Sequence, residues 1–440
     1  MSKTVTFIVQ PGGSLNGSAR VPGDKSISHR SIMLGSLAEG ITHVKGFLQA
    51  EDALATLQAF RDMGVRIEGP KDGELTIWGV GKHGLTAPQK PLYLGNSGTS
   101  MRLLSGLLAG QAFDSELTGD KSLSGRPMKR VTEPLAEMGA EIETTEKGTA
   151  PLKIKGQAGK LKGIDYQMPM ASAQVKSCLL LAGMYAEGIT SVTEPAPTRD
   201  HTERMLSGFS YPVEKHGSKV SISAKGSLTA NDIDVPSDIS SAAFFLVGAS
   251  IASDSDIILR HVGINPTRTG VIDILRLMGA KIEVLNERIV GGEPVADLHV
   301  VSSPLTGIDI PEELVPLAID EFPVLFVAAA CAQGQTRLSG AEELRVKESD
   351  RIQVMADGLQ ILGIDAEPTA DGMIIQGGTI GAGTVISHGD HRIAMAFSIA
   401  GLKASGPIVI EDCENVNTSF PEFVSIATKL GLKLISEQAS

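Results

Sequence analysis

Residues 269–283 read TGVIDILRLMGAKIE, an amphipathic run that ends near Gly279 and then alternates like a strand. A glycine in that place suits a helix C-cap. Variants of the same phrase recur: MGVRIE at Gly64, MGAEIE at Gly139, GFSYPVE at Gly208, LGIDAE at Gly363 and LGLKLI at Gly431. The six glycines lie 75, 69, 71, 84 and 68 residues apart. Units of that length are too long for a solenoid repeat, so each is expected to be a compact α/β unit in which a helix runs into a strand.

A second helix is expected ahead of each phrase. The six starts are GDKSISHRS, GNSGTSMRLL, MASAQVKSCLLL, SDISSAAFFLV, AIDEFPVLFVAAA and GDHRIAMAFSIA. Each begins with small, polar or charged residues and continues apolar nearly all round, as a buried helix does. Free N–H groups and the helix dipole make such starts receptive to negative charge. Ordinary capping is the plainer reading of any single start; six in one chain tilt the balance toward an anion site. The break between units three and four is expected in GSLTANDIDVPSD, residues 226–238, which carries turn residues and Pro236.

The totals narrow the function. At 440 residues the chain is long enough for two domains, and 42% hydrophobic with 20% charged residues is the profile of a soluble globular protein. Basic residues number 39 against 51 acidic, a net charge of -12, which argues against broad contact with nucleic acid or anionic membrane. Any anion site must therefore be locally basic. Cys178, Cys331 and Cys413 are an odd number, far apart, and read as reduced packing residues of a cytosolic protein. No long apolar segment follows the N-terminal MSKTVTFIVQPGG, and FPVLFVAAACA is too short to span a bilayer.

In PGDKSISHRS, residues 22–31, Ser26 suits an N-cap, while Lys25 and Arg30 beside it suit an anion. The pattern returns as GDKSLSGRP at 119–127, bringing Arg126. GVGKHG, residues 79–84, has dinucleotide-loop spacing, but LTAPQKP follows where a helix is needed, so a loop is expected. No P-loop, H-E-x-x-H or paired C-x-x-C occurs. In ELRVKESDRIQVMADGLQIL a helix is expected to begin near Ser349 and Asp350, with Lys347 and Glu348 at its mouth and Arg351 just inside. A solvated charged face and an anion site are both open readings there. AIDEFP sets Asp320 and Glu321 at a helix head, where acids also serve as caps. The combination carries more than its parts: Lys25, Arg126, Lys347, Arg351 and Arg392 fall in separate units, with Asp320 and Glu348 available for proton transfer.

GDKSISHR, GNSGTSMR, RPM, ASAQVKS, RVKESDR and DHRIAM, in that order, resemble the signatures of the 3-phosphoshikimate 1-carboxyvinyltransferase (EPSP synthase) family. PTRDHTERML, NPTRTG and TSFPEF look more like its class II branch. The resemblance implies a two-domain inside-out α/β barrel of six βαβαββ repeats, three per domain. Residues 1–22 with 236–440 would form one domain and 23–235 the other, with crossing strands near residues 22 and 236 as hinge and the active site in the cleft. It also implies the reaction: the 5-hydroxyl of shikimate 3-phosphate adds to C2 of phosphoenolpyruvate, and phosphate leaves by C–O cleavage. The resemblance implies as well that no metal or organic cofactor is required.

Carried over by position, Lys25 would touch both substrates. Ser26, Arg30, Ser172, Ala173 and Gln174 would hold shikimate 3-phosphate, with Asp320 and Lys347. Gly98, Arg126, Gln174, Arg351 and Arg392 would hold phosphoenolpyruvate. Asp320 would take the hydroxyl proton, and Glu348 or Lys25 the proton at C3. The chain departs from the enteric pattern at Ala173, where a serine is usual, at PTRDH, and at Thr418, where a lysine is usual. Arg199 is the candidate to make good the lost contacts. The related enzyme acting on UDP-N-acetylglucosamine would show a Lys-Asn pair near Lys25 and a cysteine near residue 115, and GQAFDSELTGD has none. A non-catalytic anion binder would have no use for Asp320 and Glu348. The resemblance further implies a cytoplasmic monomer inhibited by glyphosate, without nucleic-acid or membrane partners.

Overall fold

The turn at each phrase is the same backbone object. In the computed structural model, which describes residues 5–438, the Gly279 N–H donates to Arg276 O and the next N–H, of Ala280, reaches back to Leu275 O. This is the Schellman pair of bonds that closes a helix C-terminus. It repeats at Gly64 and Val65, Gly139 and Ala140, Gly363 and Ile364, and Gly431 and Leu432. All five glycines have positive φ, from 82° at Gly363 to 124° at Gly431.

The third copy differs from its sequence reading. Gly208 is the last residue of helix His201–Gly208, and the left-handed position falls on Ser210, at φ 63°. Ser210 N–H bonds Ser207 O, and Tyr211 N–H bonds Leu206 O. The true third phrase is thus FSYPVE with serine in the glycine place, and the adjoining spacings become 71 and 69.

The second class of helix is buried as its composition requires. These are Lys25–Leu37, Gly98–Ala109, Ala173–Gly183, Ile239–Ile251, Phe322–Cys331 and His391–Ala400. Every residue of Ile239–Ile251 is buried. Each fully buried Leu, Ile or Phe contributes about 1.5–3 kcal/mol, so these helices are the centres of the two cores. Five of the six are capped by a side chain: Asp24, Ser97, Ser172, Asp238 and Asp390. Asp24 is the first cap rather than Ser26, its carboxylate accepting from Ile27 N–H at 2.8 Å. The second G-D-K-S copy behaves alike, Asp120 accepting from Leu123 N–H at 2.7 Å. Each aspartate lies three residues before the N–H it caps, the spacing a capping carboxylate needs. Pro323 fits the first turn of Phe322–Cys331, where its missing N–H costs nothing.

Six small sheets clothe these helices among the described residues. The second shows the pattern: Leu92–Tyr93 runs parallel to Ser115–Thr118, which pairs antiparallel with Leu152–Lys155, and that with Glu141–Glu143. The last sheet keeps the order with a strand from far away. Val5–Val9 lies between Ile408–Glu411 and Leu434–Gln438, antiparallel to both. The GVGKHG segment ends strand Glu74–Val80 and continues as turn and loop.

The chain divides into two units, Gly23–Val235 and Met1–Pro22 with Pro236–Ser440. Gly23 stands at one boundary because a Cβ there would lie 1.9 Å from Gly46 O. Among the described residues no helix is long and apolar enough to cross a membrane. The three cysteines are unpaired, and burial pushes each thiol up to about 12, which fits packing residues and not nucleophiles.

Candidate active site

In Gly23–Val235 the first turns of three buried helices are tied into a ring of hydrogen bonds. His29 Nδ1 on the first helix lies 3.3 Å from Ser100 Oγ on the second. Gln174 on the third helix donates to Thr99 Oγ1 of the second at 3.1 Å. Arg30 on the first closes the ring, donating from NH2 to Ser177 Oγ of the third at 2.9 Å. Three of the six polar helix starts therefore meet within this unit.

Arg30 is the cation within that ring, and Lys25 shares its helix. Arg30 is buried and also donates to Thr202 Oγ1 at 2.7 Å and Ser26 O at 2.9 Å. Lys25 forms an ion pair with the buried Asp52. His29 is held well below its ordinary value by burial, then by the charges of Lys25 and Arg30, so it contributes a neutral imidazole beside them. Arg126 donates to Asn96 Oδ1 at 2.7 Å. Gly98 lies against it: a Cβ at 98 would sit 3.0 Å from NH1 of both Arg126 and Arg102. Ser172 caps the third helix and Ala173 opens it. Arg199 precedes helix His201–Gly208, half-buried, beside Thr198.

Arg102 is the residue the sequence reading passed over. It donates to Gln174 Oε1 at 2.7 Å, across 72 positions of sequence. The signal was in GNSGTSMR: an arginine four residues after Gly98 shares its helix face.

The other unit gathers a different set. Arg351, buried at the head of helix Arg351–Ile361, donates from Nε to Asp390 at 2.8 Å and from NH2 to Glu348 at 2.6 Å. Its NH1 lies 3.4 Å from Asp320, which is also 3.4 Å from Lys347 Nζ. Ser349 donates to Asp390 at 3.0 Å, and Asp390 accepts the Arg392 N–H at 3.0 Å. Burial opposes charge on both Asp390 and Arg351. Their pairing outweighs it, holding the carboxyl below its usual range and, with Glu348, the guanidinium above its own. Glu321 stands at the N-cap position of helix Phe322–Cys331, as read, but its side chain makes no capping bond and accepts from Ser240 Oγ on helix Ile239–Ile251. The helix expected near Ser349 and Asp350 starts at Arg351, with Asp350 as cap. Lys347 therefore lies outside it.

Asp320 and Glu348 thus share one arginine with Asp390. Such an arrangement keeps acid and base groups beside cations able to hold phosphate or carboxylate. A family model for EPSP synthase (3-phosphoshikimate 1-carboxyvinyltransferase) matches residues 9–426. This chain belongs to the EPSP synthase family. A 3-phosphoshikimate 1-carboxyvinyltransferase of Methylococcus capsulatus is 70% identical over 432 residues, 98% of this chain and 99% of its own length. The Nitrosococcus oceani enzyme is 67% identical, covering 98% and 97%. The solved EPSP synthase of Acinetobacter baumannii superposes with TM-score 0.89 at 63% identity, covering 99% of this chain and all of that one. An enolpyruvyl transferase, NikO of Streptomyces tendae, shares the fold at TM-score 0.80 with 17% identity, over the whole of both chains. Among the described residues no group of His, Cys, Asp and Glu is arranged to hold a metal ion.

Proposed function

We propose that this chain transfers the enolpyruvyl group of phosphoenolpyruvate to the 5-hydroxyl of shikimate 3-phosphate. The observation that carries the reading is Asp320, a carboxylate 3.4 Å from both Lys347 and Arg351, with Glu348 on the same arginine. Asp320 removes the hydroxyl proton as its oxygen attacks C2, while C3 gains a proton from Glu348 or Lys25. Loss of a C3 proton to the same group then expels phosphate with its C–O electron pair. The product is 5-enolpyruvylshikimate 3-phosphate.

The remaining roles follow the charge. Two substrates, each with a phosphate and a carboxylate, repel one another, and a set of cations offsets that repulsion. Lys25, Ser26, Arg30, Ser172, Ala173, Gln174, Arg199, Asp320 and Lys347 take shikimate 3-phosphate. Lys25, Gly98, Arg126, Gln174, Arg351 and Arg392 take phosphoenolpyruvate, with glyphosate competing for their place. In this reading the fold is the two-domain inside-out α/β barrel of six repeats, residues 1–22 with 236–440 forming one domain and 23–235 the other, and the enzyme is a cytoplasmic monomer. Five four-stranded sheets of one order, a sixth of three strands and six recurring helix ends support the repeat architecture.

Phosphate release from a mixture of the purified chain and both substrates tests the activity. Release is expected only with both present. Release without shikimate 3-phosphate would mark a phosphatase, and none at all would leave an anion-binding protein.

A further inference from the structure

Behind the Arg30 ring lies a buried charge cluster that the reaction does not use. Lys176, one turn into helix Ala173–Gly183, is 0% exposed. Its ammonium lies 3.0 Å from Glu194, just after strand Ile189–Thr193, and 2.8 Å from Glu203 on helix His201–Gly208. Glu194 also accepts from Thr198 Oγ1 at 2.6 Å. One cation faces two carboxylates, all three buried. As a device for stability this is a poor choice, since well-packed apolar residues of the same volume usually serve as well or better.

The neighbours of the cluster explain its place. Ser177 follows Lys176 and Thr202 precedes Glu203 in sequence. Thr202 Oγ1 donates to Ser177 Oγ at 2.7 Å, and these two hydroxyls are the acceptors of Arg30 NH2 and Nε. The ion pair and the hydroxyl pair therefore join the same two helices at adjacent positions. Fixing Lys176 to Glu203 fixes Ser177 to Thr202. That in turn fixes the plane of the Arg30 guanidinium, whose fork must be oriented to meet a carboxylate or phosphate with two bonds.

We propose that Lys176, Glu194 and Glu203 form a positioning cluster for shikimate 3-phosphate binding, acting through Arg30. The inference rests on the assignment of Arg30 to that substrate. Its consequence is selective: disturbing the cluster weakens one substrate and spares the other, because the Arg126 and Gly98 contacts lie elsewhere on the ring.

Steady-state kinetics of four variants tests it: Lys176→Met, Glu203→Gln, Arg30→Ala and the double Arg30→Ala/Lys176→Met. Lys176→Met is expected to raise KM for shikimate 3-phosphate roughly tenfold, leaving kcat and the phosphoenolpyruvate KM within about twofold. Glu203→Gln keeps the shape and one ion pair and should move the same constant in the same direction. In the Arg30→Ala background Lys176→Met should add nothing, as two residues acting through one contact are not additive. A role confined to folding would add in both backgrounds, or lower kcat and both KM values together, and either result overturns the proposal. A raised KM in Arg30→Ala with a normal one in Lys176→Met overturns the cluster alone. A normal KM in Arg30→Ala overturns the assignment of Arg30, and the cluster's role with it. If neither Lys176→Met nor Glu203→Gln yields folded protein, the cluster is a structural one and the proposal fails.

Discussion

The two units tie their helix N-termini together with opposite chemistry. In Gly23–Val235 the bonds run through hydroxyls, an amide and an imidazole, and Arg30 and Arg102 spend donors on oxygens that carry no charge. In the other unit Arg351 is held among Asp390, Glu348 and Asp320. Bonds to hydroxyls and an amide end on neutral acceptors and are the weaker kind. A guanidinium held among carboxylates is oriented by charge-assisted bonds, which are roughly twice as strong as neutral ones. The two sets of bonds therefore differ in strength, and the contrast can be pressed by mutation.

The largest effect is expected at Asp390. Asp390→Asn leaves a buried guanidinium short of a buried partner and should cost about 3–5 kcal/mol of unfolding free energy. Ser177→Ala, which removes a neutral member of the first ring, should cost about 1 kcal/mol. The Asp390 difference has a pH signature. Its carboxyl is held below the usual range, so its contribution is complete above about pH 4 and fades as pH falls through the folded-state value. Denaturant melts of wild type and Asp390→Asn should therefore differ fully at pH 7 and converge below about pH 4. Equal losses at Asp390 and Ser177 would erase the distinction between the rings.

Next comes Asp320→Asn. It keeps shape but removes the base, so turnover should fall roughly a hundredfold while shikimate 3-phosphate still binds. Near-normal turnover, followed by phosphate release, would reduce the carboxylate-rich ring to a structural feature.

Gly98→Ala gives the smallest effect and probes the neutral ring. The new methyl would meet the heads of Arg102 and Arg126 at 3.0 Å, and both would have to give by a few tenths of an ångström. Glyphosate, longer than phosphoenolpyruvate, should feel the displaced guanidiniums more. Its inhibition constant is expected to rise several-fold above the change in the phosphoenolpyruvate KM, about 1 kcal/mol of discrimination. Wild type should be sensitive. Constants that rise together, measured at matched saturation, would show that Gly98 does not sort the two ligands.

What was readable in sequence was whatever local backbone chemistry writes there. The helix ends at Gly64, Gly139, Gly279, Gly363 and Gly431 are legible because a left-handed residue favours glycine. Ser210 hides because a serine holds the same conformation, and nearby Gly208 draws the eye. Buried helices were legible from their all-round apolar character. Which side chain caps them was harder: Asp24 and Ser26 are both good caps, and only the bond to Ile27 N–H decides. Long-range partners were beyond reach. Nothing in GNSGTSMR points to Gln174, nor in ASAQVKS to Glu203, since those contacts exist only once three helices stand side by side.

The strand Val5–Val9 in the middle of the last sheet sets a timetable for synthesis. Its partners, Ile408–Glu411 and Leu434–Gln438, are made some four hundred residues later. The contiguous unit Gly23–Val235 has every strand it needs once residue 235 has emerged, and domains that complete early fold early. The first strand must instead wait, apolar and unpaired, through the making of some four hundred residues before its place exists. Of all segments in the chain, it is the one a chaperone would have most time to meet.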